Sequence, residues 1–457
     1  MDKKHNNDNK QGSGLKLVAP FLAVLGILTV VSFIIPLRPT QSGMEKRNLA
    51  EFPEFSMEAL LSGDYFDDIT TWFSDTFPGR EGWLAMSSNI SSLHGYSEIA
   101  IQGELPDTEV VPPVQIQEEP DSEQPGDLPR ETVESTQAAS SAEPTEWGGV
   151  HMDDNVDIEI GQSAVIQIGD SAFNAVGFSQ QQSERYAQTL NELADLLAPF
   201  GTTVVSAPAP TAVGIMIEPE YLEKLKCADQ KETIGYMHSN LNDDVVAVDT
   251  YAALIGHNDE YIYFRTDHHW TALGAYYAYA AISEALGDTP ASLEDFELWD
   301  QGDFEGSLYW KVVRPKKLKM DTLYSYIPQG DLETAHYNEY GYPNVGGLLD
   351  DMTNQEANTK YMTFISGDNP MTEITNHSIP EGKNCVLIKD SFGNPLAVFL
   401  TQNYHKVYVL DYRKYRLMNL QKFVEKNEID DVIFAPYVIA TQSFDGNDMF
   451  KRIGGIQ

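Results

Sequence analysis

The stretch Cys385-Val386-Leu387-Ile388-Lys389-Asp390-Ser391-Phe392-Gly393-Asn394-Pro395 runs from a short apolar segment through a polar turn to a helix start. Four apolar residues in succession predict a strand buried on both faces, as in a parallel sheet. Asn394 is a favourable helix cap and Pro395 a favourable first helical residue, so a helix is expected to begin within four residues of Ser391. Strand, tight loop and helix in that order place Ser391 at the carboxyl end of a strand, where open α/β sheets carry their ligands.

The alternation continues on both sides. Downstream, the pattern predicts a helix over 396–404, a strand over 406–410, a helix over 417–426 and a strand over 431–435. Upstream it predicts a strand over 164–168 and an amphipathic helix over 180–199, with Leu190, Leu193, Leu196 and Leu197 on one side. Strands over 203–206, 244–249 and 261–264 and a helix over 272–286 follow. Strands alternating with helices predict an α/β domain over 151–457, a mostly parallel sheet covered on both faces. Residues 296–380, rich in Tyr, Gly and Asp, read as a long excursion from that sheet.

A second loop of chemical interest is Arg265-Thr266-Asp267-His268-His269-Trp270, between the expected strand 261–264 and the helix from Ala272. In extended backbone Asp267 and His269 point to one side and His268 to the other. Asp267 would hold one imidazole nitrogen of His269 and leave the other free to take a proton. With Ser391 as nucleophile beside a helix start, the two loops supply a complete triad in the order Asp, His, Ser; geometry and not order defines such triads. The plainer readings are capped turns, a positive φ at Gly393 and a core role for Trp270. A metal reading would use His257, Asp267, His268 and His269, but no His-x-x-x-His spacing supports it, and no metal is assigned. His268, Trp270, Tyr412, Arg413 and Asn394 are candidates to line the substrate cleft. Backbone N–H groups near Ser391 and Phe392, the Asn394 side chain and the loop 207–211 are candidate oxyanion donors.

The chain has 457 residues, 42% of them hydrophobic, and 69 acidic against 30 basic residues give a net charge of −39. That balance repels phosphate backbones and excludes nucleic acid as an expected partner. Two cysteines, Cys227 and Cys385, form no metal-binding pattern. Residues 17–37 are uncharged and 21 long, about 30 Å as a helix, which reads as a transmembrane anchor. Lys3, Lys4, Lys10 and Lys16 precede it, so residues 1–16 are expected in the cytoplasm and 38–457 outside the cell. Residues 38–104 contain helical segments at 56–61, capped by Ser56, and 65–73, with a turn over 75–80. From 105 to 147 there are seven prolines and eleven acidic residues against one Arg, the composition of a disordered linker or insertion over 105–150.

The run Tyr263-Phe264-Arg265-Thr266-Asp267-His268-His269-Trp270-Thr271-Ala272-Leu273-Gly274 closely resembles the signature of the DHHW proteins of Gram-positive bacteria. Supporting matches are Glu45-Lys46-Arg47-Asn48-Leu49, Ser62-Gly63-Asp64-Tyr65-Phe66, Phe77-Pro78-Gly79-Arg80 and the Lys389–Asn394 loop. These proteins in turn resemble the alginate O-acetyltransferase group. The resemblance implies a three-layer α/β/α fold like that of the SGNH hydrolases, with the triad in permuted order. By motif it makes Asp267 the acid, His269 the base and Ser391 the nucleophile. It also implies a membrane-anchored extracellular O-acetyltransferase acting on a cell-envelope polysaccharide, without a separate cofactor. Acetyl groups would reach it from a multispanning membrane O-acyltransferase. A carbohydrate acetylesterase with the same triad and a non-catalytic glycan-binding or scaffold protein are the alternatives.

Overall fold

The computed structural model describes residues 108–113, 147–152, 158–161 and 164–456, together with scattered positions between 38 and 77. Two units are distinguished, Met1–Ile90 and Ser91–Gln457. In the first, Tyr65, Phe66, Ile69, Trp72 and Phe73 are helical, and the Thr76 N–H donates to the Trp72 carbonyl at 3.0 Å. The Arg38 guanidinium lies 4.0 Å from the centre of the Trp72 ring and donates to Thr76 Oγ1 at 2.8 Å. The expected anchor 17–37 and the helix 56–61 lie outside the described residues. No helix among the described residues is long and apolar enough to cross a membrane.

The second unit is built on an eight-stranded sheet. Its strands are β1 (Thr203–Ser206), β2 (Val245–Ala247), β3 (Leu332–Tyr337), β4 (Pro343–Asn344), β5 (Met371–Asn376), β6 (Lys383–Lys389), β7 (Tyr404–Asp411) and β8 (Asp431–Ala435). Their order across the sheet is β4-β3-β5-β7-β6-β8-β1-β2. From β7 to β2 every pairing is parallel; β4, β3 and β5 extend it in antiparallel fashion. All five residues of β8 and the last five of β6 are buried, as expected for central parallel strands covered on both faces.

Helices α1 (Gln180–Leu197), α2 (Gln230–Ser239), α3 (Ala272–Ala285), α4 (Gly393–Leu400), α5 (Leu420–Asn427) and α6 (Phe444–Gly454) cover it. The connection from β6 to β7 through α4 and that from β7 to β8 through α5 step across the sheet in opposite directions. Right-handed crossovers therefore put α4 and α5 on opposite faces. Helix α3 joins α4 on one, while α1 and α6 join α5 on the other. Ser391 follows β6 at the point where these connections diverge.

Several expectations are corrected. The strand expected at 164–168 forms (Val165–Ile168) but belongs to a separate antiparallel sheet with Ile158–Ile160 and Ser171–Asn174. Residues 261–264 form no strand; only a single bridge joins Tyr263 to Trp270. The excursion 296–380 does more than leave the sheet. It supplies β3, β4 and β5, and its Glu297–Phe304 segment pairs with Asp321–Ile327. The polar sequence of β3, Leu332-Glu333-Thr334-Ala335-His336-Tyr337, suits its place near the sheet edge and carries no buried-strand pattern. Within the expected linker, residues 108–113 hold structure against the core: Glu109 N–H donates to the Phe178 carbonyl at 3.0 Å, and Glu109 Oε2 accepts from Gln180 N–H at the start of α1 at 2.8 Å. Cys227 and Cys385 are both free and buried.

At the end of β1, Ser206 Oγ lies 2.9 Å from the Tyr186 hydroxyl and 3.2 Å from His238 Nε2. Burial pushes the His238 imidazole down to about 4, against the pull of Asp249. An unfolded histidine titrates near 6.5, so the unfolded chain takes up this proton first on acidification. The stability it contributes is complete above about pH 6.5 and is lost as pH falls through about 4. Thermal melting from pH 7 to 4 is expected to show a smaller acid-induced loss in His238→Gln than in the parent protein.

Candidate active site

Asp267 is the hub of the site. Its Oδ1 accepts the His269 backbone N–H at 3.0 Å and pairs with His269 Nδ1 at 2.5 Å, and its Oδ2 accepts the Ser307 N–H at 2.6 Å. The other ring nitrogen, His269 Nε2, lies 2.7 Å from Ser391 Oγ. With its Nδ1 proton held by a carboxylate, the imidazole presents Nε2 as an acceptor to the serine hydroxyl. Asp267 and His269 are fully buried and Ser391 retains 8% exposure, so the serine is the member a substrate can reach.

The alignment of Asp267 with His269 does not come from the expected extended backbone. The segment is a closed turn in which the Asp267 carboxylate folds back onto the N–H two residues on, a local bond that aspartate makes readily. Asp321 fixes this turn from 54 residues away in sequence. Its Oδ1 accepts the Tyr261 hydroxyl at 2.7 Å and the Arg265 N–H at 2.9 Å; its Oδ2 accepts the Thr266 N–H at 2.7 Å and hydroxyl at 2.6 Å. Burial pushes the Asp321 carboxyl up, and these donors pull it back. Gly306 closes against the same turn. A Cβ there would meet the Thr266 carbonyl oxygen at 2.3 Å, so only glycine brings the Ser307 N–H to Asp267.

Tyr361 joins the two loops. Its ring stacks on His269 with centroids 4.1 Å apart and planes inclined by 13°, and its hydroxyl donates to the Ser391 carbonyl at 2.9 Å. Trp270 is buried and donates through Nε1 to the Phe392 carbonyl at 2.9 Å. It is a structural brace and not a substrate platform.

The serine loop is held from below by charge. Lys389, at the end of β6, is fully buried; its Nζ lies 2.7 Å from Asn394 Oδ1, 3.3 Å from Asp368 and 3.4 Å from Asp411. Arg413 Nη2 reaches Asp368 at 2.7 Å and Asp411 at 2.5 Å. Burial works to raise the Asp368 and Asp411 carboxyls, but Arg413 and Lys389 outweigh it and hold both below the usual range. Asn394 is therefore neither the helix cap nor a cleft residue: the helix starts at Gly393, and Asn394 bridges Lys389 and Asp368. Gly393 has no positive φ. It is needed because a Cβ would lie 2.4 Å from Lys389 Cβ. Asp390, beside the nucleophile, accepts from the Phe392 N–H, the Tyr412 hydroxyl and the Tyr437 N–H, and burial pushes its carboxyl up against the pull of Arg413.

A cleft of about 250 Å³ opens on Ser391 and is lined also by His268, Tyr412, Arg413, Tyr437 and Asp445. Of the five candidate cleft residues, His268, Tyr412 and Arg413 take that place, and Trp270 and Asn394 do not. His268 Nδ1 lies 2.7 Å from Ser307 Oγ. Among the candidate oxyanion donors, the loop 207–211 drops out. Ala207, Ala209 and Thr211 spend their N–H groups on Phe434, Pro436 and Gln230, and prolines at 208 and 210 have none. The Phe392 N–H is held by Asp390. The Ser391 N–H makes no hydrogen bond among the described residues and remains the candidate. Asp267, His268 and His269 bring one ligand atom each within 4.8 Å of one another, but a cation there would compete with the bonds His269 makes to Asp267 and Ser391. His257 is absent from that group; it pairs with Glu260 at 2.7 Å.

Fold and site define an α/β protein that carries a hydroxyl–imidazole–carboxylate relay at the carboxyl edge of a parallel sheet. The chain belongs to the DHHW protein family, whose model matches residues 45–410. It is similar to a DHHW family protein from Eubacterium siraeum at 29% identity and a TM-score of 0.57, over 63% of this chain and 94% of that one. PatB1 of Bacillus cereus is similar at 18% identity and a TM-score of 0.50, over 65% of this chain and 99% of PatB1. Its structure with a sulfonyl adduct matches at 17% identity and a TM-score of 0.50, over 63% and 99%. No curated protein matches the chain.

Composition and spacing gave no sign of Asp321, Gly306, Ser307 or Tyr361, which lie 39 to 94 residues beyond Asp267 in the turn they support. Asp321→Asn puts an NH2 donor in place of one of two oxygens that each accept from two donors, and urea unfolding is expected to show a loss of about 1–3 kcal/mol.

Proposed function

We propose that this chain is an acyl-transfer enzyme that moves acetyl groups to a cell-envelope polysaccharide through a covalent ester on Ser391. The observation that carries this reading is the continuous relay from Asp267 through His269 to Ser391 Oγ, at 2.5 and 2.7 Å. Family membership and the resemblance of DHHW proteins to the alginate O-acetyltransferase group support the choice of acetyl group and glycan.

In the first half-reaction Ser391 Oγ attacks the carbonyl carbon of an acetyl donor while its proton passes to His269 Nε2. The tetrahedral oxyanion is met by the Ser391 N–H, and Asp267 stabilises the imidazolium that forms. Collapse breaks the bond to the leaving alkoxide, which takes the proton from Nε2. In the second half-reaction a sugar hydroxyl gives its proton to Nε2 and attacks the Ser391 ester. The acetylated sugar leaves and the serine regains its proton. Tyr361, lying flat on the imidazole, holds the plane of the ring while the proton moves. The anchor at 17–37 would hold the site outside the cell beside a multispanning O-acyltransferase that supplies acetyl groups.

The test uses the full chain in detergent with an activated acetyl ester, followed by intact mass and peptide mapping. One acetyl adduct per chain on Ser391 is expected. It should be absent in Ser391→Ala and form about 10²–10⁴-fold more slowly in His269→Ala. An adduct that turns over equally fast with and without added glycan would identify an esterase. A folded chain that forms no adduct would contradict the reading.

A further inference from the structure

The turn that follows β7 concentrates positive charge on a chain whose net charge is −39. Arg413, Lys414 and Arg416 lie within four residues of one another, and Arg452 of α6 joins them. Arg413 is spent on Asp368 and Asp411, and Lys414 Nζ on the Asp368 carbonyl at 2.6 Å. Arg416 and Arg452 are different. Both are exposed, and neither forms an ion pair with a carboxylate among the described residues. Asp445 also lines the cleft and pairs with neither.

Both guanidinium groups are fixed to the main chain of the cleft wall. Arg452 Nη2 donates to the Tyr412 carbonyl at 3.1 Å, and Arg416 Nη2 donates to the carbonyl of the next residue, Arg413, at 2.7 Å. Arg416 Nη1 donates to the Tyr415 carbonyl at 2.7 Å. Tyr412 and Arg413 line the cleft that opens on Ser391. Two like charges are thus hung on the successive carbonyls of two residues that line it, and Asp411 is the carboxylate whose charge Arg416 feels without an ion pair. Burial pushes the Arg416 guanidinium down and the charge of Arg452 pushes it further. Of the five N–H donors a guanidinium carries, Arg416 uses two and Arg452 one.

We propose that Arg416 and Arg452 form a subsite for an oxyanion carried by the acceptor glycopolymer, a uronate carboxylate or a backbone phosphodiester. The inference rests on the acyl-transfer reading only for calling the ligand an acceptor. Planar guanidinium forks suit both anions. Their attachment to the backbone of two cleft-lining residues fits a ligand that runs into the cleft. On so acidic a chain, this rim is where an anionic polymer finds attraction.

The test titrates the full Ser391→Ala chain in detergent with hexagalacturonate, a glycerol-phosphate hexamer, neutral chitohexaose and phosphatidylglycerol mixed micelles, by calorimetry. At least one acidic hexamer is expected to bind, more weakly as salt rises, and the one that binds tells carboxylate from phosphodiester. Arg416→Gln and Arg452→Gln should each weaken it on the order of tenfold, and chitohexaose should be indifferent to both. Arg416→Lys and Arg452→Lys, which keep the charge and lose the fork, should lie between. The proposal is overturned by failure of both acidic hexamers to bind, by equal affinity for acidic and neutral hexamers, by a double Gln variant that binds like the parent, or by arginine-dependent binding confined to phosphatidylglycerol. Binding needs no turnover, so failure of the acyl-transfer reading and failure of this one are told apart.

Discussion

The 2.5 Å contact between Asp267 and His269 Nδ1 is the constraint on which the site depends. It sets the proton on one nitrogen and so turns the other toward a serine 122 residues further along the chain. The groups around it hold that carboxylate still and meet its lone pairs. Asp321 pins the backbone before it, Gly306 allows the Ser307 N–H to reach it, and Tyr361 covers the imidazole it orients. A buried carboxylate is costly unless its lone pairs are met, and Asp267 has three donors on its two oxygens.

The serine is positioned by a different kind of force. Beneath its loop, Lys389 and Arg413 neutralise Asp368 and Asp411 in a buried network that also takes in Asn394. Opposite charges in a low-dielectric setting hold one another with strict geometry, and breaking one partner leaves the others unpaired. Over Val407–Leu410 and Val432–Ala435 the parallel strands on either side of β6 are buried and apolar, so the charged layer around Ser391 begins at the strand ends. The site thus rests on a rigid apolar floor with an electrostatic lock above it.

Much of this was legible in sequence. The apolar run 385–388 and the Asp–Ser–Phe–Gly turn after it gave β6 and its loop, and residues 431–435 gave β8 to the residue. Asp267, His269 and Ser391 were assembled from two loops and do meet. What failed did so for physical reasons. Residues 261–264 look like a strand because Tyr, Ile, Tyr and Phe favour extended backbone, but tertiary contacts bury Ile262, Tyr263 and Phe264 without a ladder. Asn394 has the chemistry of a cap, yet a buried lysine next to it offers a stronger partner than the helix end. The supports of Asp267 come from the poorly patterned 296–380 region. Their role there is set by hydrogen bonds to a distant turn, which leave no periodicity to read.

The central claim is that Asp267, His269 and Ser391 act as one unit. Labelling of the full chain with a sulfonyl fluoride, timed by intact mass and mapped by peptide, tests it most directly. The account predicts a single sulfonyl group on Ser391, acquired readily by the parent and far more slowly when either His269→Ala or Asp267→Asn is introduced. Labelling at other residues, or at Ser391 with a rate indifferent to His269 and Asp267, would contradict it.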